Sequence, residues 1–154
     1  MIEVPSAVYQ IEDICALTDF VSIGTNDLTQ YLLAVDRNNE NVADLFSSMH
    51  PAVLKAMCQI VEGAAKSGTP VSVCGELAGD PLGVMALLGM GINSLSMSVG
   101  SLLRAKKVIM SFSYHELAEL LDQALTISDA AQIRELYAHK LDSRGLGGLI
   151  RAGK

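Results

Sequence analysis

No stretch of the chain approaches the roughly 18 uninterrupted apolar residues of a membrane-spanning helix, although half of its 154 residues are apolar. The chain is therefore expected to be soluble. Clustered positive charge is also scarce. Eleven Lys and Arg stand against seventeen Asp and Glu, a formal net charge of −6, and nucleic-acid binding by counterion release needs grouped cations. The few groupings, Arg104-Lys106-Lys107 and the C-terminal Arg144, Arg151 and Lys154, read as a solvated helix face and tail. Cysteine is limited to Cys15, Cys58 and Cys74, an odd set without metal-ligand spacing. Cys15 and Cys58 lie in apolar helical runs and read as small packed hydrophobes in a reducing cytosol, which makes the expected setting cytoplasmic. Charged residues make up under a fifth of the chain, too few for disorder. Nothing at the N-terminus reads as a signal peptide. So apolar a chain buries much surface, some of it against a partner outside these residues.

The chemistry concentrates where apolar runs end. Phe20-Val21-Ser22-Ile23 passes directly into Gly24-Thr25-Asn26-Asp27-Leu28-Thr29-Gln30-Tyr31, placing an amide and a carboxylate where a buried strand opens into a helix. Strand ends in parallel α/β folds are where substrates and metals bind, so Asn26 and Asp27 are candidates for an anionic ligand and a divalent ion. The same residue types also serve as helix N-caps, and eight residues do not separate the two readings. Met1-Ile2-Glu3-Val4-Pro5 ends a second run in a carboxylate, and Val71-Ser72-Val73-Cys74-Gly75-Glu76 ends a third in a thiol. Three such strand ends with helices between them describe one rim of a β/α barrel.

Segment by segment, the first strand is already under way at residue 1. Pro5 starts a helix with Val8, Ile11, Ile14, Cys15 and Leu17 on one stripe, ending at Thr18-Asp19. A strand at 20–24 leads through the site loop to a short helix at 28–34. After the polar stretch 36–41, Pro51 opens a long helix through Lys66 with Gly68 past its end. Strand 71–74, a helix from Asp80-Pro81 to Leu88 stopped by Gly89 and Gly91, strand 94–98 and a helix at 101–110 follow. The expected fold is α/β. Four β/α units over residues 1–110 make about the second half of an eight-fold TIM-type barrel, which takes about 250 residues. Residues 111–154 form a C-terminal extension, with amphipathic helices at 115–125 and 128–141 and a glycine-rich tail, 145–150, that has no period and reads as docking or flexible.

Glu3 and Asp27, at the mouths of neighbouring strands, can reach one cation, and two carboxylates with ligand oxygens and water suit Mg²⁺. Each also reads as a surface ion-pair partner. Arg37, beyond the short helix, is placed to close over an anion or is merely exposed. Cys74 is a proton donor or a packed thiol; an ordinary thiol is mostly protonated at neutral pH, as a general acid requires.

The stretches 1–5, 22–31, 34–37, His50-Pro51-Ala52-Val53-Leu54 and Cys74-Gly75-Glu76-Leu77-Ala78-Gly79-Asp80-Pro81 together resemble the PEP-utilising enzymes. The similarity is greatest to the enzyme I family of the bacterial phosphoenolpyruvate-dependent phosphotransferase system, and holds in consistent order from residue 1 to about 110. The ending 145–151 is similar to the nitrogen-branch paralogues. This resemblance implies that Glu3 and Asp27 ligate Mg²⁺ and that Asn26, Asp27 and Arg37 bind the substrate, Asn26 and Arg37 at the phosphoryl group of phosphoenolpyruvate. It implies that Cys74 exchanges a proton with C3 of the enolate and pyruvate. The phosphoryl group then moves to a histidine on a separate N-terminal domain and onward to a phosphocarrier protein. His50, His115 and His139 do not match that histidine's motif, and the arginines of the first half-barrel are not among these residues. The chain is accordingly expected to be a fragment, inactive alone. Pyruvate phosphate dikinase and phosphoenolpyruvate synthase share the Asn-Asp and Cys-Gly-Glu stretches, but Tyr31 and the run 33–40 favour enzyme I. A dimerising interaction module is the reading from a different class, since an open half-barrel has sheet edges to pair and a homo-oligomer would cover them.

Overall fold

The computed structural model describes residues 1–151. Three short parallel strands form one sheet in the order β1 (Val21–Gly24), β2 (Val71–Cys74), β3 (Ser94–Ser96). The expected first strand is reduced to one parallel bridge, Ile2 to Ile23. Each strand alternates an apolar residue with a small polar one, so the two faces differ in chemistry. Ile2, Ile23, Val73 and Leu95 are paired in one row across the sheet, and the first three are buried. The next row along the chain is Gly24, Cys74 and Ser96. Register therefore sends one row into the core and the next to the opposite face, at the C-terminal edge of the sheet.

The helices carry the core. The N-terminal helix is broken into α1 (Pro5–Tyr9) and α2 (Ile11–Cys15) at Gln10, whose ψ of 16° leaves the helical range. Val8, Ile11 and Cys15 are buried as the stripe requires, but Leu17 lies beyond the helix end and is exposed. A third helix, α3 (Thr25–Leu33), starts directly on β1, three residues earlier than the sequence suggests. A 3₁₀ turn at Ala43–Leu45 precedes α4 (Pro51–Ser67), which His50 caps by accepting the Ala52 N–H on Nδ1 at 3.1 Å and which ends at Gly68 with φ +67°. On α4 a Cβ at Gly63 would collide with Ile11, so α2 crosses there in close contact.

After β2 and a 3₁₀ turn at Glu76–Gly79 comes α5 (Pro81–Gly89), capped by Asp80, whose Oδ1 accepts the Leu82 N–H at 3.4 Å. It is apolar on every side, as suits a helix enclosed by others. The fourth strand is shorter than expected because α6 (Val99–Ile109) begins two residues early. Two further helices, α7 (Tyr114–Leu125) and α8 (Ala130–Asp142), add Leu117, Leu121, Ala124, Ile133, Tyr137 and Leu141 to the same core that holds Met85 and Leu87. Part of the glycine-rich tail is helical, within α9 (Gly148–Arg151), rather than aperiodic; residues 152–154 lie outside those described.

The start of α7 carries a capping box. Ser113 Oγ accepts the Glu116 N–H at 3.3 Å, and Glu116 Oε2 accepts from Ser113 N and Oγ, each at 3.0 Å. Arg144 and Lys140 of the chain's C-terminal part also pair with this carboxylate. The Ser113 backbone N–H is the largest of the influences that lower the Glu116 carboxyl from its ordinary 4.5 to about 2, with the Ser113 hydroxyl and Arg144 adding to it. Because the folded state holds the carboxylate more acidic than the unfolded chain does, its stabilisation is complete above about 4.5 and lost as pH falls toward about 2. Urea midpoints of wild type and Glu116→Gln should therefore differ at neutral pH and converge over that window. A difference that stays constant with pH would show that the charge of Glu116 contributes nothing to the cap.

Candidate functional site

At the C-terminal edge of the sheet the chain is fastened by contacts between the first turn of α3 and the end of β2. Thr25 is fully buried and its Oγ1 donates to the Cys74 carbonyl at 3.1 Å. Asn26 Oδ1 accepts the Glu76 backbone N–H at 3.3 Å. Between them Gly75 takes φ +110°, and a Cβ there would run into Thr25 Oγ1 and lie 3.3 Å from Asn26 Oδ1. Only glycine fits both the backbone angle and the space. Asn26 and Asp27 do not cap their helix: the N-cap is Gly24, with no side-chain cap bond. The sequence places them on a loop; they stand in the first helical turn because the strand runs straight into α3. The buried Thr25 was not singled out by the sequence reading, although a β-branched hydroxyl at a strand-to-helix junction is the available signal.

Cys74 is half-buried. Its Sγ donates to the Ile23 carbonyl at 3.6 Å and accepts from Ser22 Oγ at 3.8 Å. Glu3 lies on the far side of β1. Its Cγ and Oε1 are 2.7 and 2.8 Å from where a Cβ of Gly24 would sit, so the bare Cα of Gly24 makes room for this carboxylate. Glu3 and Asp27 are both half-buried, and among the described residues neither has a side-chain hydrogen bond or an ion pair. Among the described residues no three His, Cys, Asp or Glu side chains gather around one point. The Glu3 carboxylate against Gly24 and the Asp27 carboxylate in the first turn of α3 are of the chemical type that ligates a hard cation. Arg37 stands apart. It is exposed beyond the left-handed Ala34 (φ 53°), with only its backbone N–H held, by Gln30 Oε1 at 3.4 Å.

A cavity of about 590 Å³ opens over β2 and β3. Asn26, Cys74 and Gly75 form one wall, Ser96, Ser98, Ser101 and Arg104 another, and Leu149 and Ile150 of the tail a third. Glu3, Asp27 and Arg37 do not line it. The structure therefore brings Asn26 and Cys74 together, keeps the two carboxylates on the β1 side, and leaves Arg37 outside. Arg104, read from sequence as part of a solvated face, instead borders the cavity, on the stripe of α6 that also carries half-buried Ser101 and buried Ala105 and Val108.

A family model described as PEP-utilising enzyme, PEP-binding domain, matches residues 1–114. The chain is similar to a protein of Escherichia coli strain K12 named "Phosphoenolpyruvate-dependent phosphotransferase system", 44% identical over 153 residues, covering 99% of this chain and 20% of that relative. A phosphoenolpyruvate-protein phosphotransferase of Cupriavidus necator is 46% identical over 140 residues, 88% of this chain and 24% of its own length. A multiphosphoryl transfer protein of Xanthomonas campestris is 44% identical over 140 residues, 91% of this chain and 17% of its own. The chain thus spans a quarter or less of the length of these relatives.

Gly75→Ala tests the fastening at the sheet edge. Strained φ and the collision with Thr25 should together lower stability by about 1–3 kcal/mol, read from urea unfolding. The loosened junction should also make Cys74 react faster with a thiol reagent. Unchanged stability and reactivity would mean that the junction tolerates a side chain.

Proposed function

The chain belongs to the PEP-utilising enzymes, and we propose that it forms the phosphoenolpyruvate- and pyruvate-binding part of a phosphoenolpyruvate-protein phosphotransferase of the enzyme I type, nitrogen branch. The observation that carries the proposal is the hydrogen-bonded junction that sets Asn26 and Cys74 on one wall of the cavity at the C-terminal edge of a parallel sheet, with Glu3 against Gly24 on the β1 side. Asn26 spends its carbonyl oxygen on Glu76, which leaves its amide N–H donors for an anionic ligand. Cys74, held as a thiol, is the proton donor to C3 of the enolate that remains when the phosphoryl group leaves. Glu3 and Asp27 would hold Mg²⁺, which when bound supplies Lewis-acid stabilisation of charge on the substrate oxygens. Arg37 is the further anion contact, brought over the site when substrate binds. The accepting histidine belongs to a separate domain of the whole protein, which passes the phosphoryl group to a phosphocarrier protein in the cytoplasm. The dikinase and synthase readings are not favoured, since the relatives cited above are named for phosphotransfer to protein.

In the full-length protein, Cys74→Ala should slow solvent-hydrogen incorporation at C3 of pyruvate by about 10²-fold or more, while phosphorylation of the protein by phosphoenolpyruvate persists. Equal loss of both would make Cys74 structural and sink the assignment.

We further propose that residues 1–110 are the second half of a TIM-type barrel and that 111–154 extend it. Both sides of the sheet then present unpaired edge and apolar surface. Met1, Tyr9, Leu17 and Phe20 are exposed on the β1 side, and Val99, Leu103 and Met110 along α6 on the other. These surfaces favour self-association of the 154 residues. Light scattering after size exclusion at low micromolar concentration should give two chain masses or more; a single chain mass with a cooperative melt would refute this.

A further inference from the structure

Arg104 is the one guanidinium bordering the cavity that has no carboxylate partner among the described residues. Arg134, the other arginine there, is held by Asp80 Oδ2 at 3.0 Å. Arg104 is half-buried, and the single bond that the structure gives its side chain runs from Nη2 to Ser101 Oγ at 3.3 Å. A guanidinium carries five donors in a planar fork, so most of its capacity faces the cavity unused. Ser98 Oγ and Ser101 Oγ lie 3.2 Å apart, and whichever donates to the other leaves one hydroxyl proton free to point outward. The cradle is held from behind. A Cβ at Gly79 would come within 2.8 Å of Ser101 Oγ, so the turn after β2 presses against Ser101 and restricts its hydroxyl. Met97, Leu149 and Ile150 form the apolar side, which lowers the local dielectric and strengthens any charge pairing inside. Glu76, the remaining carboxylate on the wall, is exposed and forms no ion pair with Arg104.

We infer that Arg104, Ser98 and Ser101 form an anion-binding centre in this cavity that takes the carboxylate or phosphate group of a small molecule. Planar anions suit the guanidinium fork in two parallel hydrogen bonds, and the serine pair supplies a third donor. The centre is separate from Arg37, which lies outside the cavity. It shares its cavity with Asn26 and Cys74 and so rests on the reading above, but its test reads binding by this chain, whereas the phosphotransfer reading is tested by proton exchange in the full-length protein.

The experiment titrates the ¹⁵N-labelled chain with pyruvate and, separately, with inorganic phosphate, following the arginine Nε–Hε resonances. A saturable shift of the Arg104 resonance with either anion is the expected result, and which anion produces it identifies the group preferred. Arg104→Gln should weaken that binding about tenfold or more, whereas Lys107→Gln, at an exposed position of the same helix, should leave it unchanged. Arg104→Lys keeps the charge but loses the fork and should fall between; it decides the matter if the glutamine variant does not fold. The inference is overturned if neither anion gives saturable binding, if Arg104→Gln or Arg104→Lys binds as tightly as wild type, or if Lys107→Gln weakens binding as much as Arg104→Gln.

Discussion

Everything at the site depends on one short hydrogen bond network across the end of the sheet, in which Thr25 reaches the Cys74 carbonyl and Asn26 reaches the Glu76 amide. Two neighbouring strands end level because their register is fixed, and the two segments leaving them would otherwise diverge, one into α3 and one into a 3₁₀ turn. Joining them lets an amide side chain and a thiol share one wall without either being buried. The glycine between them is part of the same constraint, since any side chain at Gly75 would push the turn off Thr25. Specificity of position here comes from backbone partners, which are harder to displace than long flexible side chains.

The sheet itself is small, so the scaffold's rigidity comes from its helices. Each fully buried aliphatic side chain contributes about 1.5–3 kcal/mol relative to exposure, and α5 alone places Leu82, Val84, Met85 and Leu87 in the interior. Surface pairs such as Lys66 with Glu12 add little, because both ends stay in water. Core packing, rather than ion pairing, therefore decides where the strand ends stand. Gly83 and Gly89 make that packing possible: a Cβ at either would strike a backbone carbonyl, of Leu77 or of Leu117.

The sequence made the rows of the sheet legible through alternation, as in Val71-Ser72-Val73-Cys74, and it made the capped helices legible through Pro51, Asp80-Pro81 and Gly68. It exposed Asn26 and Cys74 for the same reason: each follows an apolar run at the point where a strand must end. What it could not convey were the departures decided by tertiary contact. Gln10 breaks the first helix and Leu17 falls outside its stripe because α2 is pinned against Gly63, not because the period fails. Arg104 shares a helical stripe with Ser101, Ala105 and Val108, and packing of α6 turns that stripe inward while Lys106 and Lys107 stay exposed. The tail's helical turn was equally hidden, since four residues carry no readable period.

Asp80 uses its two carboxylate oxygens on different parts of the molecule, Oδ1 on the start of α5 and Oδ2 on Arg134 of α8. The family model matches residues 1–114, while similarity to the relatives runs on through the C-terminal helices, over 153 residues in the Escherichia coli case; the buried face of α5 is completed by Leu117 and Leu121 from α7, and the interior continues through Ile133, Tyr137 and Leu141 of α8. The boundary of the family model therefore falls inside one continuous core. In evolutionary terms, divergence after residue 114 is constrained: a lineage can change those last helices, but only in step with the apolar surface of α5 on which they rest.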